Sequence, residues 1–248
     1  MKRVLIVAGY LALAMAAGSP AGAQPMAPAV PKFFGNFEPR PGVWSEYAMV
    51  EKGSGQKSVM RLSIVGEEEG AFWYEVHIKN GDSRNVIKML VTGDPKDGEN
   101  VRRFIVKSGD GQAIEMPRDF IAMGRKMADH MFSSRSGVPS EDKAGVRVEE
   151  VGEEKRTVPA GTFTVQRRRV VGSDGSVIGT FDFNEKVLPI GVVASDSEQT
   201  SMELVGHGSD AVTAIEEEPV LMRPPPGMPP GMGPGSPGMV PGMPVPGR

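Results

Sequence analysis

Apolar and polar side chains alternate along two neighbouring stretches of the chain. The segment AFWYEVHIKN has an apolar residue at every second position from Phe72 to Ile78, and KSVMRLSIVG repeats the pattern from Met60 to Ile64. A period of two places alternate side chains on opposite faces of a strand. Both stretches are therefore predicted to be β-strands with one buried face and one wetter face.

Turn signals separate these strands and recur along most of the chain. Asn80-Gly81 favours a tight hairpin, because both central residues of that turn need positive φ. Similar signals occur as GSG at 53–55, GEEEG at 66–70, GDPKDG at 93–98, SGDG at 108–111 and GSDG at 172–175. Short apolar runs between such turns predict an antiparallel meander.

One segment, MPRDFIAMGRKMADHMF at 116–132, departs from the alternation. Phe120, Met123 and Met127 recur there at helical spacing, and Pro117 suits a first helical turn, where its missing N–H costs nothing. We expect one amphipathic helix here, with about six strands before it and four or five after it.

These elements predict a mainly β (α+β) fold. A long antiparallel sheet tends to curl, and a single helix with an apolar stripe needs a surface to cover. We expect a strongly curved antiparallel sheet of about 10–11 strands, an unclosed half-barrel, wrapped around the one helix.

Composition divides the chain into four regions. Residues 1–23 have a positive start, a short apolar run and small residues at a cleavage point, as in a signal peptide. Residues 24–40 are a proline-rich, extended lead-in, and residues 41–215 form the half-barrel domain. Residues 216–248 are rich in proline, glycine and methionine and are predicted to be a disordered tail. The expected location is the periplasm, with no integral membrane segment after signal cleavage.

Charge and cysteine content exclude several classes of protein. The formal net charge is −3, which argues against a nucleic-acid partner, since such a partner selects a basic surface. The chain has no cysteine. Disulfides, thiolate metal sites, cysteine nucleophiles and a thioether-linked lipid anchor are therefore excluded.

Catalytic residue patterns are scarce. The three histidines, His77, His130 and His207, form no pair at the spacing of a zinc site. No serine lies in a G-x-S-x-G elbow, and GSGQKS at 53–58 lacks the spacing of a phosphate-binding loop. The chain is therefore expected to be neither an enzyme nor a holder of a metal or other cofactor.

Three stretches carry a resemblance to a known family: PGVWSEYAMV, TVPAGTFTV, and the long run GTFDFNEKVLPIGVVASDSEQTSMELVGHG. With the export signal, they resemble the periplasmic lipoprotein-carrier-like proteins, which share the half-barrel of the Lol-type lipoprotein localisation factors. The resemblance covers most of residues 41–208. It implies a cavity between sheet and helix that shelters acyl chains.

The expected function is therefore non-enzymatic sheltering of an apolar ligand (a lipid or the acyl chains of a lipoprotein), with lipid or lipoprotein shuttling as the task. In the strand before the LPIG connection, Phe181 and Phe183 are expected to point inward while Asp182 and Asn184 face water. The residues predicted to line the cavity are apolar and lie on the strands and the helix: Phe72, Tyr74, Val76, Ile78, Phe120, Met123, Met127, Phe181 and Phe183.

Two alternatives remain open. In the first, the half-barrel is filled by its own side chains, and the tail at 216–248 contacts a periplasmic protein partner. In the second, the tail methionines capture Cu(I), because thioethers are soft ligands. The four methionines in question are Met228, Met232, Met239 and Met243.

Overall fold

The computed structural model describes residues 36–95, 97–118 and 147–222. These residues form one 12-stranded sheet in the order β12-β6-β5-β4-β3-β2-β1-β11-β10-β9-β8-β7. The first six strands are β1 (Trp44–Glu51), β2 (Lys57–Glu68), β3 (Ala71–Asn80), β4 (Ser83–Val91), β5 (Val101–Ser108) and β6 (Ile114–Glu115). The last six are β7 (Arg147–Val158), β8 (Gly161–Val171), β9 (Val177–Phe183), β10 (Val192–Ser197), β11 (Thr200–Gly208) and β12 (Val220–Leu221).

Two antiparallel meanders build the sheet. Strands β1 to β6 form the first and β7 to β11 the second, and the two join where β1 pairs with β11. A hairpin forms where one was predicted, since β3 ends at Asn80 and β4 begins at Ser83. The position of its turn was wrong by one residue: Asn80 pairs with Ser83, the two-residue loop is Gly81-Asp82, and Gly81 rather than Asn80 has a positive φ, of 56°. The predicted meander is thus correct.

The predicted fold class was wrong. The described residues form a sheet of 12 strands rather than 10–11, and the only complete helical element among them is one 3-10 turn, Gly98–Asn100. The described part is all-β and does not wrap around an amphipathic helix. Most of the predicted helix at 116–132 falls in residues 119–146, which lie outside the described ranges.

Loop residues, rather than a helix, close the apolar face of the sheet in the described part. Val187 and Ile190, in the connection between β9 and β10, are buried in the core together with Met116, which follows β6. Phe37, in the lead-in, packs edge-on against Tyr74 with ring centroids 5.3 Å apart. These residues follow no strand or helix period, so the sequence pattern did not predict their burial.

The sheet is unclosed but strongly curled at its second meander. The backbone N–H of Ala160, in the turn between β7 and β8, donates to the carbonyl of Leu204 in β11 at 3.2 Å. Strands β7 and β11 are four places apart in the strand order. The tip of the β7–β8 hairpin therefore folds over the sheet towards β11.

After β11 the chain crosses the sheet, and we call residues 209–219 the strap. The strap runs from the centre of the sheet to its far edge, where β12 pairs in parallel with β6. This pairing at Val220–Leu221 lies within the segment predicted as a disordered tail, so the sheet continues past residue 215. Residues 223–248 are outside the described ranges.

Candidate functional site

The residues predicted to line a cavity divide into three groups. Tyr74, Val76 and Phe183 are buried in the core. Phe72, Ile78 and Phe181 are partly buried and pack against that core. The helical candidates Phe120, Met123 and Met127 lie outside the described residues. The sheet therefore presents three of the six described candidates at the border of the core, where solvent still reaches them.

Strand register connects two of these border residues through a row of methionines. Ile78 pairs with Met60, and Met60 pairs with Tyr47 of β1. Two residues further along β1, Met49 pairs with Met202 of β11. Met202 pairs with Ser195 of β10, and Ser195 pairs with Phe181 of β9. The side chains of this row lie on the apolar face, and we call them the methionine strip: Ile78, Met60, Met49, Met202 and Phe181.

The methionine strip is long and adaptable. It crosses from β3 to β9, and five inter-strand steps of about 4.8 Å make it about 24 Å along the sheet surface. Met49 and Met202 are buried, whereas Met60, Ile78 and Phe181 are partly exposed. Methionine is unbranched and polarizable, so it packs against apolar groups of varied shape.

The phenols within the apolar face stay neutral. The hydroxyl of Tyr47 donates to the carbonyl of Val192 at 3.0 Å, which satisfies it inside the core. Burial raises the pKa of both Tyr47 and Tyr74 far above the ordinary value, because a phenolate loses its hydration there. These tyrosines therefore contribute no charge to the apolar face near neutral pH.

The opposite face of the first meander carries a buried carboxylate under the strap. Glu75 has no exposed surface, and it accepts hydrogen bonds from the Ala214 N–H at 3.0 Å and from the Thr213 hydroxyl. His77 Nε2 lies 2.9 Å from its Oε2, and Lys88 Nζ lies 3.5 Å from its Oε1. Burial raises the pKa of Glu75, but the hydrogen bonds and the Lys88 charge together outweigh it, so the pKa lies below its ordinary range.

The same face of the second meander carries a charged groove. Arg167 binds Asp182 through two bonds, Nε to Oδ1 at 2.7 Å and Nη2 to Oδ2 at 2.9 Å. Arg156, on the folded-over β7, donates to Glu203 of β11 at 3.0 Å. The prediction that Asp182 faces water was wrong: it is 4% exposed, because its cross-strand neighbour Arg167 binds it and the folded-over β7 brings Arg156 close to it.

We call this depression the polar groove, and it has a volume of about 440 Å³. The polar side chains that line it include Arg156, Arg167, Thr180, Asp182, Ser201 and Glu203, and its apolar contacts include Ala48 and Val50. Sequence reasoning did not find the groove, since its members come from strands that are distant in the chain. The RRR run at 167–169 was the one sequence feature that marked this region. Strand alternation alone could not predict which acidic residue would pair with these arginines.

The two described histidines each have a neighbouring side chain as partner. His77 is engaged with Glu75, and His207 lies against the ring of Phe163 at 5.7 Å, while His130 is outside the described ranges. Within those ranges no three histidine, aspartate or glutamate side chains are grouped to hold a metal ion. Nor do they include a helix with the length and hydropathy of a membrane span.

Comparison with known proteins gives distant structural similarities. No family model and no curated protein matches the chain. It resembles a Bacteroides fragilis protein described as exported, with a YmcC-like fold (12% identity, 71% of this chain and 99% of that one, TM-score 0.33). It also resembles a protein of Parabacteroides distasonis described as a lipoprotein (13%, 71% and 99%, TM-score 0.34).

A further similarity is to MucB in the Pseudomonas aeruginosa MucA/MucB complex, at 13% identity and a TM-score of 0.26. It covers 69% of this chain and 53% of that one, so the match spans about half of MucB. At these scores and identities, the similarities define neither a family nor a ligand for this chain.

Proposed function

We propose that the protein is an exported, non-enzymatic binding protein of the periplasm that holds an apolar acyl chain along the methionine strip. The observation that carries this proposal is the apolar row from Ile78 to Phe181, which only Ser195 of β10 interrupts. The two ends of the row and Met60 are partly exposed, whereas Met49 and Met202 are buried between them. A lipid or the acyl chain of a lipoprotein would cover these ends. Lipid or lipoprotein shuttling is the corresponding task.

The dimensions of the strip suit one acyl chain. Its length of about 24 Å exceeds the reach of about 15 Å that one acyl chain has in half of a bilayer's hydrocarbon core. A chain that buries about 14 methylenes gains about 11 kcal/mol. The loss of translational and rotational freedom on binding costs about 4 kcal/mol, at the low end of the range estimated for association. The net binding free energy of about −7 kcal/mol corresponds to a dissociation constant of about 10 μM.

A fluorescent fatty acid tests this proposal. Dansyl-undecanoic acid is titrated into the protein from residue 24 onwards and into the variant Phe181→Ser, which replaces an apolar end of the strip with a polar group. We expect at least a fivefold weaker affinity in the variant. Val177→Ser is the matched control, because Val177 lies on the same strand, is 53% exposed and is outside the strip.

Two results would contradict the proposal. One is that the wild-type protein does not bind the probe and shows no co-purifying lipid by native mass spectrometry. The other is that Phe181→Ser and Val177→Ser weaken binding equally, which would place the probe elsewhere on the molecule.

A protein partner for the segment at 216–248 is the second candidate function. The start of this segment is fixed on the sheet: Lys107 Nζ lies 2.6 Å from Glu217, and Val220–Leu221 pairs with β6. This anchoring places the described start of the segment, up to Met222, at the β6 edge. Truncation after Met222 would then abolish the cellular phenotype while acyl binding stays intact, whereas loss of both would contradict a separate partner site.

A further inference from the structure

The polar groove has a construction that acyl binding does not use. It lies on the face of the sheet opposite to the methionine strip, because successive residues of β9 alternate: Phe181 belongs to the strip, and its neighbours Thr180 and Asp182 line the groove. Its volume of about 440 Å³ falls in the range of small-molecule sites, which runs from about 300 to 1,000 Å³. The strap covers the first meander and not this part of the face.

The charges at the polar groove are already paired. Arg167 is bound by Asp182 and also by Glu154, whose Oε1 lies 2.6 Å from its Nη2. Arg156 is bound by Glu203, and the nearby Asp196 lies 2.9 Å from Lys52. An anionic ligand would have to displace a carboxylate from an arginine, and a cationic one would have to displace an arginine. Binding of either kind of charged ligand would break an existing charge-assisted hydrogen bond between an arginine and a carboxylate. The groove therefore favours an uncharged ligand.

Hydrogen-bonding capacity nevertheless remains in the groove. The side chains of Arg156 and Glu203 are 37% and 45% exposed, so a ligand can reach both of them. An ionised carboxylate such as Glu203 offers about four lone-pair sites, of which the arginine takes a part. The hydroxyls of Thr180 and Ser201 add groups that both donate and accept. A ligand with many hydroxyls can use all of these groups without separating an ion pair.

From this arrangement we propose that the polar groove binds a neutral, hydroxyl-rich ligand, of the class of a short oligosaccharide. Neighbouring hydroxyls of a sugar ring would donate to Glu203, accept from the exposed part of the Arg156 guanidinium, and exchange hydrogen bonds with Thr180 and Ser201. The C–H face of the ring would lie against Ala48 and Val50, the apolar residues of the groove.

Three trisaccharides of similar size and different charge test the proposal. Maltotriose is neutral, trigalacturonate is anionic and the glucosamine trimer is cationic. Each is titrated to about 10 mM into isotopically labelled protein, and chemical shifts of the backbone amides are followed by NMR. We expect maltotriose to shift amides of β9, β10 and β11, with an affinity at least about tenfold above that of either charged trimer.

Variants that fill the groove locate the binding site. Ala48→Phe introduces an aromatic ring from an exposed position of β1, and we expect maltotriose affinity to fall at least about tenfold. Ser201→Phe does the same from β11 and serves if the first variant does not fold. Lys79→Phe, at an exposed position of β3 outside the groove, is the control and should change the affinity by less than about twofold.

Several outcomes would overturn the proposal. They are no shifts with maltotriose, tighter binding of a charged trimer, or an unchanged affinity in the folded groove variants. Acyl binding, followed with the dansyl probe, should be unaffected by Ala48→Phe. Failure of either proposal is therefore distinguishable from failure of the other.

Discussion

The replacement Glu75→Gln tests whether a buried carboxylate holds the strap on the sheet. Glu75 has no exposed surface, and Thr213, Ala214, His77 and Lys88 all contact its two oxygens. Glutamine has nearly the same shape and retains one acceptor oxygen, but it removes the negative charge and presents an N–H₂ group to donors. The perturbation is therefore electrostatic rather than steric.

The magnitude follows from the contacts that are lost. A hydrogen bond to a charged group contributes about 1.5–3 kcal/mol, and removal of one partner of a buried ion pair costs about 3–5 kcal/mol. Lys88 keeps a small exposed fraction and can turn towards water, which reduces the penalty. We therefore expect Glu75→Gln to lower the free energy of unfolding by about 2–4 kcal/mol near neutral pH.

The pH dependence provides an independent signature. The pKa of folded Glu75 lies below the ordinary value of 4.5, so the folded state binds its proton less tightly than the unfolded state does. Its contribution to stability is therefore fully present above the ordinary pKa and is lost as the pH falls through the lower, folded pKa. The stability difference between wild type and Glu75→Gln should be largest near neutral pH and should shrink on acidification below 4.5.

Urea denaturation, followed by tryptophan fluorescence at a series of pH values, measures both effects. Amide hydrogen exchange should show lost protection at Ala214, whose N–H donates to Glu75. Glu67→Gln is the matched control, since Glu67 is a strand glutamate with an exposed side chain, and it should leave the stability nearly unchanged. A destabilisation by Glu75→Gln no greater than that of the control, or one independent of pH, would refute the reasoning.

Two further predictions concern the strap and the groove. Truncation after Met222 should leave the midpoint of thermal unfolding unchanged in a calorimetric scan. Truncation after Gly208 removes the strap and should lower that midpoint by several degrees. Equal midpoints for the two truncated proteins would show that the strap does not stabilise the sheet. Asp182→Ala should cost about 1–3 kcal/mol in urea denaturation, because Arg167 loses both of its bonds to the carboxylate and is only partly rehydrated. A cost within the error of the exposed-site control Asp110→Ala would contradict that assignment.

Local signals in the sequence predicted the strands well. The alternation from Phe72 to Ile78 corresponds to β3, whose even-numbered residues face the core. The hairpin between β3 and β4 was predictable because Gly81 tolerates the positive φ that a tight turn needs, although the loop is Gly81-Asp82 rather than Asn80-Gly81. The hydrophobic period and the turn residues act over a few positions in the chain, so they predict strands and turns without knowledge of the tertiary fold.

The predicted helix-wrapped architecture failed where burial depends on residues without a period. The prediction needed a helix to cover the apolar face, whereas Val187, Ile190 and Phe37 cover part of it from loops and from the lead-in. Loop residues carry no sequence signal that distinguishes a buried side chain from an exposed one. The twelfth strand was missed for a similar reason, since two residues, Val220–Leu221, are too few to show alternation.

The candidate sites were only partly predictable. Phe181 and Phe183 share a face, with stacked rings 6.2 Å apart, as the alternation in β9 indicates. The burial of Glu75 and Asp182 depends on the strap and on the folded-over hairpin, which approach from positions more than 20 residues away in sequence. Strand alternation correctly placed both carboxylates on the polar face, but it could not show that this face is covered.

The alternation of β9 makes the two proposed ligands independent of each other. Phe181 and Asp182 are neighbours in the chain, yet their side chains lie on opposite faces and have different partners: the core for Phe181, and arginines for Asp182. Phe181→Ser should therefore weaken the dansyl fatty acid and leave maltotriose affinity unchanged, while Asp182→Ala should do the reverse. Because the two side chains lie on opposite faces of the sheet, the double variant should show the two losses side by side. If either single variant weakened both ligands, the faces would be coupled through the sheet, and the division of binding between them would be wrong.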